Sequence, residues 1–221
     1  MLRFKDKHKN KRAFIIANGP HLNDIPVEKL EGEITFGLNR GYLKKGLDIK
    51  YLVVINDLVE QQFKDEILAI NCDARFTCYL EGPNTYQYKF TPDIPKFTGD
   101  ITKPIWQGHT VTFCAMETAF FMGCDPVYVI GLDHKFDYST SEKRKGKRGL
   151  LSKTDDPNHF HPDYWGKGVI WDAAELKQAE VGFGLARQAY EKLGRRLLNA
   201  STFSLLSEDI LPRIDFNSIE F

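Results

Sequence analysis

The sequence predicts an α/β protein: a Rossmann-like, mostly parallel sheet with helices on both faces and a lid insertion. Three observations carry this. Short apolar runs alternate with helical patterns from residue 13 to residue 199. The runs are continuous, as in strands buried on both faces of a parallel sheet, rather than alternating as in half-exposed strands. Three successive runs end in asparagine and a later one ends in Gly-Leu-Asp, so polar groups recur at one structural level.

The elements follow in order. Ala13–Ala17 reads as the first strand and runs into Asn18-Gly19-Pro20. Asn23–Leu30 reads as one or two helical turns. Ile34–Leu38 is the second strand, ending in Asn39-Arg40, and Tyr51–Ile55 is the third, ending in Asn56-Asp57. In Leu58–Ile70 the apolar residues Leu58, Val59, Phe63, Ile67, Leu68 and Ile70 have helical spacing, with Asp57 as the cap. Arg75–Leu80 is the fourth strand. Residues 81–106 hold four prolines and many aromatics and read as irregular. Thr110–Gly123 is the clearest helix. Val111, Cys114, Ala115, Thr118, Ala119 and Met122 share one face, and Gly123 stops it. Pro126–Ile130 is the fifth strand, ending in Gly131-Leu132-Asp133. Ala173–Leu193 is a long helix closed by Gly194, Arg196–Asn199 is a sixth strand, and the tail is irregular. Glu142–Gly149, EKRKGKRG, reads as the tip of the lid, which spans about residues 135–171.

A length of 221 residues suits a single domain, 1–221, with a sizeable core. The 30 Lys and Arg balance the 30 Asp and Glu, so nucleic acid is not an expected partner. No apolar run approaches the ~20 residues of a membrane span. The N-terminal MLRFKDKHKNKR is basic and lacks the apolar centre of a secretory signal. That basic segment reads as a solvated tail, with peripheral contact to the inner face of the membrane as the alternative. Cys72, Cys78, Cys114 and Cys124 show no C-x-x-C spacing and read as reduced, mostly packed thiols, which predicts a cytoplasmic protein.

Parallel sheets bind ligands at the carboxyl ends of their strands. Asn18, Asn39 and Asn56 would together form a neutral polar site able to read a base edge and ribose hydroxyls. The alternative is that each is a turn residue tolerating unusual backbone angles. Gly19 lets backbone N–H groups approach a ligand. Gly131 and Asp133 end the fifth strand at the same level. Gln107-Gly108-His109-Thr110 precedes the clearest helix, whose free N–H groups attract phosphate or carboxylate, and Thr110 also fits an N-cap. The densest segment is Asp155–Trp171, DDPNHFHPDYWGKGVIW. His159 and His161 are candidate general bases. Their H-x-H spacing also permits a metal site completed by Asp133 or His134, and a packed aromatic loop with surface histidines is the third reading. Tyr164 and Lys167 are candidates for holding phosphate. His134 is a candidate base or substrate contact. Lys135, with Lys143 to Arg148, could close over a diphosphate or an anionic sugar, unless the charge run is only a solvated loop.

Taken in order, ANGPHL, GLNRGY, VVINDL, TVTFCAMETAFFMGCDPVYVIGLDH and NHFHPDYWGKG resemble the bacterial sialyltransferases of glycosyltransferase family 42 and the wider DUF115 group, over roughly residues 13–200. The resemblance implies a Rossmann-like sheet with a lid, a CMP-activated donor, no obligatory metal and a homo-oligomer. The family's first asparagine and glycine match Asn18 and Gly19. Its two later strand-end asparagines match Asn39 and Asn56, and all three asparagines would contact CMP. Its Ser-Gly before the central helix falls near Gly108–Thr110, its Gly-Ile-Asp matches Gly131-Leu132-Asp133, and its phosphate-holding lid tyrosine matches Tyr164. Two positions depart. The family's serine is His21 here, and its catalytic histidine falls on Lys167, a poor base unless burial lowers its pKa. His159, His161 and Lys167 therefore stand as the catalytic candidates.

The function this implies is transfer of an acidic, nonulosonic- or sialic-acid-like sugar from a CMP-activated donor to a glycan acceptor, in surface polysaccharide or lipooligosaccharide synthesis. No cofactor is obligatory on this reading, with Mg²⁺ an option. The alternatives are a Mg²⁺-dependent pterin-type diphosphokinase, for which Asp57 and Asp133 would hold the ion, and a non-catalytic nucleotide- or glycan-binding module.

Overall fold

The structure, a computed structural model, describes residues 1–91 and 94–221. In chain order its elements are β1 (Ala13–Ile16), β2 (Thr35–Leu38), β3 (Tyr51–Val53), α1 (Asp57–Gln62), α2 (Lys64–Ala69), β4 (Ala74–Thr77) and β5 (Thr85–Gln87). They continue with α3 (Val111–Phe121), β6 (Val127–Ile130), β7 (Ser141–Lys143), β8 (Leu150–Ser152), β9 (Ile170–Trp171), α4 (Leu176–Lys192) and β10 (Leu197–Asn199). Seven strands form one sheet in the order β10-β6-β1-β2-β3-β4-β5, and every neighbouring pair is parallel.

The continuous apolar runs have the cause the sequence implies. In β1, Ala13 and Ile15 face one core layer with α3 and α4. Phe14 and Ile16 face a second layer with Leu22, Val59, Ile67 and the lid aromatics. The second face is covered by short 3₁₀ turns (Pro20–Asp24 and Val27–Leu30) and by α1 and α2 rather than by long helices. Strand order reverses at β1, which has β2 on one side and β6 on the other. A crevice opens at such a switch point, at the carboxyl ends of the strands.

Several expectations need correction. Leu58–Ile70 is two helices, because Phe63 leaves helical geometry (φ −127°, ψ 24°). Their cap is Asn56, whose side-chain oxygen accepts from Leu58 N and Val59 N, and Asp57 is the first helical residue. Residues 81–106 contain β5, which extends the sheet as an edge strand. Its side chains are half-buried or exposed, so no apolar run announces it. Pro92 and Asp93 lie outside the described residues. α3 is buried nearly all round rather than on one face, because it runs between the sheet and α4.

The N-terminus is not a solvated tail. Phe4 packs edge-to-face on Phe76 and Tyr86, and His8 is buried with its Nε2 2.7 Å from the Tyr51 hydroxyl. Burial, helped by Lys7, lowers the His8 pKa to about 4. The C-terminal tail also packs, through Leu206, Leu211, Phe216 and Ile219. All four cysteines are free thiols. Among the described residues no helix is long and apolar enough to cross a membrane.

Residues between β6 and α4 form a separate layer over the crevice. Its frame is the antiparallel sheet β7-β8-β9, and EKRKGKRG covers the end of β7 and the turn to β8.

Candidate functional site

A cavity of about 760 Å³ lies between the strand ends and this lid. Asn18, Gly19, Asn39, Asn56, Thr110, Gly131, Asp133, His134, Lys135, His159 and Tyr164 all line it. His161 and Lys167 do not line it.

The floor is built by close approach of β1 and β6. Gly19 N donates to Gly131 O at 2.8 Å. A Cβ on Gly19 would stand 2.3 Å from Asp133 Oδ1, and one on Gly131 (φ +66°) would stand 2.6 Å from Ala17 O. Only glycine fits at either place. Asp133 Oδ2 accepts from His21 Nδ1 at 2.5 Å, which gives a role to the residue that departs from the resembling family. Asn18 Nδ2 donates to Leu38 O (3.0 Å) and to the Tyr164 hydroxyl (2.9 Å). Asn39 takes the left-handed backbone (φ +46°) that asparagine tolerates.

Native proteins leave few buried polar atoms unpaired, because each costs about 1–3 kcal/mol. Among the described residues five buried side-chain atoms lack a partner. Four of the five, Asn18 Oδ1, Asn39 Oδ1, Asp133 Oδ1 and Trp171 Nε1, belong to residues lining this cavity. Three are acceptors at the ends of neighbouring strands β6, β1 and β2, so the floor is short of donors. Asn56 differs from the other two asparagines: its oxygen caps α1, and its Nδ2 is 3.4 Å from Asp172.

The N-terminus of α3 borders the same space. Thr110 is its N-cap, accepting from Thr112 N at 3.3 Å. His109 Nδ1 pairs with Glu175 at 2.8 Å, just before α4. Gln107 Nε2 donates to Ile55 O at 3.0 Å.

The lid brings a histidine dyad. Asp156 is buried and accepts from Asn158 N (2.7 Å), Trp165 N (2.9 Å) and His159 Nδ1 (2.7 Å). The His159 ring lies flat on Tyr164, 3.9 Å between centroids and 7° from parallel. With Nδ1 committed to Asp156, Nε2 is the nitrogen free for chemistry. The sequence reading missed Asp156. Its signal was a carboxylate three residues before a histidine in a Pro-Asn turn.

Tyr164, the candidate for holding phosphate, lines the cavity and also ties the lid to the floor. Its hydroxyl accepts from Asn18 Nδ2 and, at 3.4 Å, from Arg40 N, and burial pushes the phenol pKa up. It anchors the lid to the floor. Arg40 reinforces this by donating to Asp163 O (2.6 Å) and Tyr164 O (2.7 Å), while its guanidinium lies 3.7 Å over the Phe63 ring.

His161 turns outward, and its Nδ1 accepts from Asp163 N at 3.2 Å. Lys167 is exposed on the turn before β9. Both leave the set of catalytic candidates: the 158–165 turn points His159 and Tyr164 inward and His161 away, and the turn before β9 carries Lys167 away from the cavity. The H-x-H metal reading fails for the same reason. Asp133 is held by His21, and His134 Nε2 pairs with Glu180 at 3.0 Å. Among the described residues no three His, Cys, Asp or Glu side chains gather as metal donors. Asp57 and Asp133 follow β3 and β6, three strand spacings apart, or roughly 14 Å, too far to share one ion.

Of the basic run only Arg148 reaches the cavity. It donates to both Asp57 oxygens (2.8 and 2.9 Å) and to Asp172, which raises its pKa further. The lining carboxylates are therefore engaged: Asp57 and Asp172 by Arg148, Asp133 by His21, Glu175 by His109. Lys135 stands exposed at the rim.

Fold and site together define a Rossmann-like α/β protein with a lidded polar cavity at the switch point. No family model matches the chain, and no curated protein matches it. Among solved structures it is similar to the sialyltransferase CstII from Campylobacter jejuni in complex with a substrate analogue, CMP-3FNeuAc. The TM-score is 0.51 at 13% identity, over 96% of this chain and 89% of that one. At that identity the likeness is one of fold.

Proposed function

We propose that the protein is a glycosyltransferase that takes a CMP-activated sugar and passes it to a hydroxyl of a glycan. The observation that carries this reading is the pairing of the two walls. Unpartnered acceptor oxygens of Asn18, Asn39 and Asp133 lie on the floor, and an Asp156–His159 dyad faces the same cavity from the lid. Ribose hydroxyls are the donors that such a floor lacks. The solved complex of the fold neighbour with a CMP-sugar analogue agrees in ligand class.

In this reading the acceptor hydroxyl attacks the anomeric carbon. Its proton passes to His159 Nε2, and the bond from sugar to phosphate breaks with its electron pair leaving on CMP. Asp156 keeps the imidazole in the required tautomer and stabilises the imidazolium. The N-terminus of α3 and the Lys135 ammonium offset charge on the departing phosphate. The transferred sugar is proposed to be acidic, with Lys135 as its counter-charge, and the setting to be surface-glycan synthesis without an obligatory metal.

Titration calorimetry of CMP, CDP, UDP, GDP and ATP, each with and without Mg²⁺, tests the donor class. Binding of CMP without Mg²⁺ is expected. ATP binding that requires Mg²⁺, with no CMP binding, overturns the proposal in favour of the diphosphokinase.

A further inference from the structure

The cavity extends past the three asparagine-ended strands to the end of β4. Here the chain exposes an aromatic ring that the catalytic reading leaves unused. Tyr79 is 70% exposed, between buried Cys78 and buried Leu80. Of the exposed large apolar side chains among the described residues, Tyr79 alone lines the cavity. Exposing a tyrosine face to water carries a hydrophobic cost, and a bare aromatic at a cavity rim is a stacking surface.

The turn that carries it is held rigidly. Glu60 of α1 is 2% exposed. Its carboxylate accepts from three successive amides, Cys78 N (2.6 Å), Tyr79 N (2.9 Å) and Leu80 N (3.1 Å). Gln87 Nε2 donates to Tyr79 O at 2.9 Å, and Cys78 Sγ donates to Ile55 O at 2.9 Å. A buried carboxylate on three amides is more anchoring than a surface turn needs for its own sake. It fixes the backbone that presents the ring, so little ordering entropy is lost when a ligand stacks there.

Position indicates which ring stacks. β4 lies three strand spacings from β1, roughly 14 Å, and the lid dyad is anchored over β1 and β2. A group stacked on Tyr79 is therefore remote from the reacting carbon, at the far end of an extended nucleotide. We infer that Tyr79 is the stacking platform for the nucleobase of the donor, an inference that rests on the nucleotide-sugar reading of this cavity.

The test compares the wild type with Tyr79→Ala and Tyr79→Phe, using CMP, ribose 5-phosphate (which has no base) and lactose as calorimetric probes. Tyr79 is exposed, so both variants should keep the wild-type melting temperature. Stacking predicts that Tyr79→Ala weakens CMP about tenfold, that Tyr79→Phe stays within about twofold, and that ribose 5-phosphate is unaffected by either. Equal CMP affinity in wild type and Tyr79→Ala overturns the inference while the function proposed above stands. A loss confined to lactose assigns the platform to a sugar ring and overturns the nucleobase assignment. A wild type that binds no CMP overturns the nucleotide reading and this inference with it, an outcome seen in the parent rather than in the variant.

Discussion

The floor and the lid of the cavity are built on different physics. The floor is backbone geometry: parallel strands packed so closely that Gly19 and Gly131 leave no room for a Cβ, with side chains that end in unpaired acceptors. The lid is side-chain geometry. A small antiparallel sheet carries stacked rings, Trp171 against Tyr138 and Trp165, and one dyad tied to the floor through Tyr164 and Arg40. A site divided this way separates holding a ligand from reacting with it. Substitutions in the two parts should fail in different ways.

The largest effect is expected in the lid. On the proposed reaction, His159→Ala should lower kcat by about 10²–10⁴, the usual contribution of a general base, and leave the Kd for CMP within about twofold. Single-turnover transfer and calorimetry measure the two. A His159→Ala protein that loses CMP binding instead would show that lid and floor do not divide the work.

The floor predicts the reverse pattern. Gly19→Ala places a methyl 2.3 Å from Asp133 Oδ1, and the carboxylate can yield only by disturbing its pair with His21. Overpacking of this kind costs about 1–3 kcal/mol, so the variant should melt several degrees lower and bind CMP more weakly. An unchanged melting curve would mean that β1 and β6 part easily, and the floor would then be no more rigid than the lid.

The same division explains what was legible in the sequence. Asn18, Asn39, Gly131 and Asp133 follow apolar runs whose periodicity is local, so strand and strand end are visible together. The lid is held by contacts distant in sequence, such as Asn18 with Tyr164 and Arg40 with Asp163. Near residue 160 the one local mark that separates His159 from His161 is Asp156, three residues before His159. Lys167 falls at the histidine position of the resembling motif, and the turn preceding β9 carries it away from the cavity. β5 and the division between α1 and α2 were hidden because half-exposed Tyr86 and an interrupted helix at Phe63 leave no periodic trace.

Acid–base behaviour should sharpen the comparison at the support of the floor, α3. Glu117 is buried there, accepting from Thr98 N and Gly99 N at 2.6 Å each. Burial raises its pKa from 4.5 to about 7. The folded state thus holds a proton that the unfolded state has lost, and stability should fall as pH rises between about 4.5 and 7, by up to about 3 kcal/mol. His8 works in the opposite sense. Its pKa is lowered from 6.5 to about 4, so its contribution is lost as pH falls through that window. The two nearly cancel in the wild type. Chemical denaturation of Glu117→Gln across pH 4–8 should show stability rising with pH, with His8 no longer opposed. A profile parallel to the wild type would mean that Glu117 titrates as an ordinary carboxyl.

The smallest effect concerns the third asparagine, and it decides whether the floor is one device or two. Asn18 and Asn39 keep an acceptor without a protein partner, whereas both donors received by Asn56 Oδ1 come from α1. Asn56→Ala should therefore act as the loss of an N-cap. That is about 1 kcal/mol of stability and a fall in Tm of a few degrees for a chain of this size. CMP affinity should change little. Asn18→Ala removes an unpaired acceptor and one tie to Tyr164, so it should weaken CMP more than it lowers Tm. If Asn56→Ala proves the more damaging for CMP, the three strand ends act as a single ligand-reading row and the cap is incidental. If the expected order holds, the repeated asparagine has two causes, helix capping after β3 and ligand recognition after β1 and β2.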